Sequence, residues 1–267
     1  MIECVMNVSE GRDLAVLREL DAVGASDLLD RHTDLHHHRS VFTLIGESAP
    51  RRLASAAITR SSIDGHDGVH PRLGVVDVVP FVPLVGSTMT EALRARDEFA
   101  RWFSEEHGVP CFLYGPERSL PDVRRDAWRT LAPDVGPSTP HHTAGAACVG
   151  ARDQLVAYNC WLDSGADIDD ARHIARAVRS AEVRALGLAV GNRVQVSMNL
   201  VVPMGVGPLE AVRRVSVWAG KVGRTIEHNE LVGLVSRAVL ARIPRREWSR
   251  LDVSDDRTIE NRLDSRG

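Results

Sequence analysis

The chain has 267 residues, with 33 basic against 36 acidic side chains, a formal charge of -3 and 43% hydrophobic residues. This balance excludes a disordered or fibrous chain. All basic residues but Lys221 are arginine, and acidic residues accompany them throughout, so no block marks a nucleic-acid partner.

Ile2 to Val8 alternates as a strand, and Leu14, Val16, Leu17, Leu20 and Val23 lie at helical spacing within 12–23. A short strand over 27–30, a polar turn over His32 to His38, a strand over 40–45, a helix over 50–62 and a buried strand over 74–79 follow. The first eighty residues thus read βαββαβ. An amphipathic helix is expected over 88–107 and a strand over 110–114, before an irregular stretch with one helix near 122–131. From Asp153 the rhythm returns: strand 154–162, helix 168–180, strands 183–190 and 193–202, helix 207–220 and strand 223–228. The expectation is an α/β (α+β) protein of two βαββαβ-type lobes, 1–150 and 151–246, with facing mixed sheets, helices outside and a ligand tunnel between them. The charged tail, 247–267, is expected to fray.

Cys4, Cys111, Cys148 and Cys160 form no Cys-x-x-Cys pair, which fits a reducing cytoplasm and neither zinc nor disulfides. Acidic Glu3 in the N-terminus argues against a secretory signal, and Leu73 to Gly86, the most apolar stretch, is shorter than the roughly 20 residues a membrane span needs. No membrane partner is expected.

Histidine is the chemical outlier. His32, His36, His37, His38, His66, His70, His141 and His142 all fall in expected turns, where imidazole serves as acid, base, metal ligand or plain surface residue. Within the run His36 to His38, side chains alternate in direction, so at most two converge on a metal. More specific is Gly68-Val69-His70-Pro71-Arg72-Leu73-Gly74-Val75-Val76-Asp77, a histidine on a proline-stiffened loop followed by an acid on a buried strand.

That stretch resembles the His-Pro-Arg-x-Gly-x-x-Asp signature of the formiminotransferase family, glutamate formimidoyltransferase and the N-terminal half of formiminotransferase-cyclodeaminase. Further ordered matches run along almost the whole chain: 3–11, 38–43, 108–115, 134–146, 195–200 and 230–235. The resemblance implies a one-carbon transferase, a cytoplasmic homodimer connected with histidine degradation, in which His70 is the catalytic acid/base. It moves a formimino (or formyl) group between N-formimino-glutamate and tetrahydrofolate, its co-substrate, with no metal. An imidazole near its ordinary pKa of about 6.5 would serve both proton transfers.

The same resemblance implies a substrate site of Asn7, Glu10, His32, His38, Arg39, Arg72, Asp77, Gln195 and Asn199. It places Gly136, Pro137, Ser138, His141, His142 and Gly145 against folate. Arg39 and Arg72 would fork onto carboxylates. Asp77 either orients His70 or Arg72 or sits in a buried ion pair; Gln195 and Asn199 either bind substrate or pair at a strand edge. His32 stands where the family carries Asp, His38 where it carries Asn, and the loop 179–182 is short. These departures keep open a transferase acting on another amine, and the histidines keep open a metal-dependent amidine hydrolase.

Overall fold

The computed structural model describes residues 1–266 and divides into two compact units, Met1–Asp153 and Gln154 onward. In the first, strand β1 (Ile2–Val8) leads into helix α1 (Leu14–Gly24), whose N-cap Asp13 accepts from Ala15 and Val16 N–H. Strands β2 (Leu28–Asp34) and β3 (Arg39–Ile45), helix α2 (Ser48–Arg60) and strand β4 (Val76–Pro83) complete a split βαββαβ motif. Helix α3 (Met89–His107), opened by a Thr88/Glu91 capping box, then carries the chain to β5 (Cys111–Tyr114). Helix α4 (Leu120–Asp126) and strand β6 (Ala147–Ala151) follow.

The six strands order as β2-β3-β1-β4-β6-β5, antiparallel except for parallel β4, β6 and β5. Alternation sorts the faces. Cys4, Met6, Val8, Phe42, Leu44, Val79 and Phe81 pack against Leu17 and Leu20 of α1, Leu53 and Ala57 of α2, and Phe99 and Phe103 of α3. On the opposite face Val78, Cys148 and Phe112 lie under Val123 and Ala127, at the end of α4.

The second unit repeats the motif with β7 (Val156–Leu162), α5 (Ile168–Val178), β8 (Val183–Val190), β9 (Arg193–Leu200), α6 (Pro208–Lys221) and β10 (Ile226–Val232). Its order, β10-β7-β9-β8, is the permutation seen in β4-β1-β3-β2. Tyr158, Cys160, Val196 and Met198 pack on Ile174 of α5 and on Val212 and Val215 of α6. Among the described residues no helix is long and apolar enough to cross a membrane.

The α/β reading holds with corrections. Only the first sheet is mixed; the second is antiparallel throughout, because it has no counterpart of the added β5 and β6. Strand β6 went unread because Ala147-Cys-Val-Gly-Ala151 is buried on both faces and so has no polar alternation. Strand β2 extends to Asp34, which puts His32 in a strand where a turn was expected. Over its described residues, 247–266, the charged tail does not fray. Leu251 and Val253 are buried in the second unit's core, Ile259 is buried as well, and helix α7 (Arg237–Leu240) is followed by two short 3₁₀ turns and helix α8 (Ile259–Asp264). Asp252 accepts the Leu231 N–H at 2.9 Å, and Val235 exchanges backbone hydrogen bonds with Arg257 and Ile259, so charges read as solvated dock the segment.

Candidate functional site

The parallel strands β4, β5 and β6 begin at the end of the first sheet where β1 stops and β2 turns into β3, so five connecting segments converge there. On the face opposite α1–α3, the register sets His32, Val41, Asn7 and Val78 in one row across four strands. Beside this row lies Asp77, fully buried.

Asp77 holds two guanidinium groups. Arg39 Nη1 donates to its Oδ2 at 2.6 Å, and Arg124 Nη2, from α4, donates to the same oxygen at 2.5 Å. The other oxygen accepts the Leu73 N–H at 2.7 Å, while Arg39 Nε donates to Asn7 Oδ1 at 3.1 Å. Burial by itself would raise the Asp77 carboxyl, but Arg39 and Arg124 outweigh it and hold the group well below the ordinary carboxylate range. The triad therefore carries a net positive charge. Of the alternatives for Asp77, the buried ion pair is present, and the residue acts on His70's loop through Leu73 rather than by touching His70 or Arg72. Arg124 escaped the sequence reading, since it stands among Arg and Asp residues of a short polar helix that look like ordinary surface charges.

His70 sits half-buried on the loop before β4. Its Nδ1 lies 2.8 Å from the Pro71 carbonyl, which can only accept, so Nδ1 carries the hydrogen and Nε2 keeps its lone pair. The His37 ring meets it edge-on at 5.9 Å. Burial, reinforced by Arg39 and Arg124 and opposed by Asp77, pushes the imidazole down to about 3. The shift runs downward from the expected value near 6.5, and with Nδ1 donating to Pro71 the neutral ring keeps Nε2 as a free basic nitrogen.

A second cluster adjoins it. Glu10 Oε1 accepts the N–H groups of Gly11, Arg12 and Asp13 at 2.8, 2.8 and 3.0 Å and lies 3.5 Å from His38 Nδ1. His38 stacks on His66 with centroids 4.2 Å apart. Arg72, expected to fork onto a substrate carboxylate, instead donates from Nε to His66 Nδ1 at 2.8 Å and from Nη2 to the Gly68 carbonyl, because its own loop folds back around it. Two glycines permit this close approach. A Cβ on Gly11 would lie 2.4 Å from the Asp34 carbonyl oxygen, and one on Gly68 would lie 2.3 Å from the His37 carbonyl oxygen. Gly68→Ala must therefore part loop and turn, and is expected to lower stability by about 1–3 kcal/mol, measured as a fall in thermal midpoint of several degrees.

The segment expected to meet folate divides in two. Gly136 lies against Ser104 of α3, with Pro137 and Ser138 exposed. His141 and Gly145 close a tight turn through paired backbone bonds, His141 Nδ1 accepts the Ala144 N–H at 3.1 Å, and Gly145 bridges to Gly74 at the end of His70's loop. His142 is exposed beside His141. Gln195 and Asn199 belong to the second unit, on the face of β9 opposite its helices, Gln195 buried and Asn199 exposed. On that face, unnoticed in the sequence, Glu230 Oε2 accepts Asn159 Nδ2 and Trp161 Nε1 at 3.0 and 2.9 Å, and Trp161 stacks on His228. Among the described residues no three His, Cys, Asp or Glu side chains converge as a metal ligand set.

Residues 1–152 match the family model described as the formiminotransferase domain, N-terminal subdomain. The chain is 34% identical over 271 residues to a glutamate formimidoyltransferase of Streptococcus pyogenes, covering 90% of each chain. It is 33% identical to one of Thermoplasma acidophilum, covering 90% of this chain and 89% of the other. With the formimidoyltransferase-cyclodeaminase of Sus scrofa it shares 32% identity over 88% of this chain and 50% of that one.

Proposed function

The chain belongs to the formiminotransferase family, and from that membership we propose that it moves a formimino group from N-formimino-glutamate to tetrahydrofolate, with His70 as general base and then general acid. The reaction joins a tetrahydrofolate nitrogen to the amidine carbon and breaks that carbon's bond to the glutamate nitrogen. One proton leaves the attacking nitrogen and one reaches the departing nitrogen, so a single group that accepts and returns a proton balances the exchange. The Nε2 lone pair of His70 supplies it, and the Nδ1 hydrogen bond to Pro71 keeps that tautomer and ring angle.

The single observation that carries this reading is the His70 ring, its Nδ1 fixed on the Pro71 carbonyl and its Nε2 left with a lone pair, on a loop that Asp77 of the Arg39–Asp77–Arg124 triad holds through Leu73. A ring held at about 3 is a weak base in the empty site. A substrate carboxylate drawn to the uncompensated guanidinium charge offsets the repulsion from Arg39 and raises the basicity of Nε2, so binding and activation are coupled. Asn7 and His32, in one row of the sheet, are the polar groups we assign to the amino-acid part of the substrate, and residues 136–145 to tetrahydrofolate, whose flat ring the exposed Pro137 and Ser138 leave room to approach. The four free, buried thiols suit a reducing cytoplasm, and a homodimer is the assembly we assign from the family resemblance.

Incubating the protein with N-formimino-glutamate and tetrahydrofolate and detecting products by mass is expected to yield glutamate and formimino-tetrahydrofolate one for one. Absence of both overturns the assignment. Product only when another formimino amine is offered instead favours the altered-amine reading, for which His32 on the substrate row is the motivating observation.

A further inference from the structure

We infer that His66 is a positioning residue for His70, acting through a two-imidazole latch that docks the 64–73 loop onto the turn between β2 and β3. The inference rests on the reading of His70 given above. His66 sits at the centre of the loop's bonds. Its Nδ1 accepts from Arg72 Nε at 2.8 Å and from the Gly68 N–H at 3.2 Å, which makes it the unprotonated nitrogen. Its Nε2 therefore carries the hydrogen and donates to the His38 carbonyl at 3.0 Å. Its face lies on His38 at an interplanar angle of 24°.

His38 anchors the turn side of the latch. It holds a left-handed backbone angle, φ +48°, and its Nδ1 accepts the Gly11 N–H at 3.0 Å. The Val69 N–H donates to the His36 carbonyl at 3.4 Å, so the residue just before His70 is tied to the same turn. The two bonds accepted at Nδ1 require the neutral ring. A proton on Nδ1 would displace the Arg72 and Gly68 donors and set two cations against each other.

The groups facing the pair are Arg72 and Asp67 from the loop, and Glu10 and Arg12 from the β1–α1 connection. Burial first, then Arg72 and the neighbouring His38, lowers the proton affinity of His66; burial also lowers that of His38, against Glu10. The sign follows directly. A group whose folded pKa is depressed leaves the latch intact above its unfolded value of about 6.5; docking weakens progressively as pH falls from there through the folded value. An acid limb of turnover beginning below about pH 6.5 would thus belong to the latch, since His70 itself is neutral far below that pH.

Amide exchange of residues 64–73 and steady-state kinetics across pH 5–9, on wild-type protein, H66A and H66Q, test this. In H66A the loop is expected to exchange at least tenfold faster, and kcat to fall about 10–100-fold, the scale of a misplacement near 1 Å, with KM changed less than threefold. In H66Q the side-chain amide can accept from Arg72 and donate to the His38 carbonyl but cannot titrate. Turnover should recover to within about threefold of wild type at pH 8, and the acid limb should flatten. Unchanged loop exchange in H66A, an unchanged kcat in H66A, or an acid limb in H66Q identical to that of wild type overturns the inference. Failure of the His70 reading is separable: it would show as retained turnover in a His70 variant whose 64–73 exchange matches wild type.

Discussion

Replacing His70 by alanine lowers kcat by about 10²–10⁴-fold, the usual range for loss of a positioned acid–base group, while tetrahydrofolate binding and the thermal midpoint stay close to wild type. The ring's hydrogen bond runs to the neighbouring Pro71 carbonyl and its edge contact is with His37, so its removal breaks no core. The pH dependence sharpens the expectation. Because the free-enzyme ring is held at about 3, kcat/KM should show no limb near 6.5 that disappears in the alanine variant. Turnover within tenfold of wild type would remove His70 from the reaction.

Asp77→Asn carries the largest expected loss of stability, about 3–5 kcal/mol, read as a drop in thermal midpoint of roughly 6–20 °C for a chain of this size. The carboxylate is fully buried and is the shared acceptor of Arg39 and Arg124, so its neutralisation leaves two guanidinium groups confronting each other away from water. The penalty should be constant from pH 5 to 9. A depressed carboxyl contributes its full stability above the unfolded value of about 3.9 and loses it only as pH falls through the lower folded value. The double variant D77N/R124M should be more stable than D77N alone, because removing a partner of the broken pair also removes its uncompensated charge. A D77N protein within 1 kcal/mol of wild type, measured by chemical denaturation, would show that the triad is more solvated than the geometry indicates.

What could be read locally was read where a segment declares its environment in its own residues. β1 alternates because one face meets the α1–α3 core and the other carries Asn7 in the row with His32; α3 announces itself with Thr88 and Glu91 at capping spacing. The loop around His70 was legible for the same reason, since a histidine before a proline with an acid seven residues on is a local pattern. Arg124 was not, because what distinguishes it from Arg125 next door is only the Asp77 carboxylate, 47 residues back, that its side chain reaches. His66 looked like one of several turn histidines until its ring was found on His38, 28 residues away in sequence.

The sequence by itself determined the two βαββαβ units, the candidate base and the family, since hydrophobic period, turn residues and ordered motifs are properties of neighbours along the chain. Only the tertiary structure decided the tautomer and surroundings of His70, the direction of Arg72 and the order of the tail. Each depends on burial and on charges delivered from distant segments, as when Arg39 and Arg124 converge on Asp77 or Leu251 enters the second core. Solvent removal lowers the proton affinity of an ordinary imidazole and docks a charged tail, and no stretch of the chain carries that information alone.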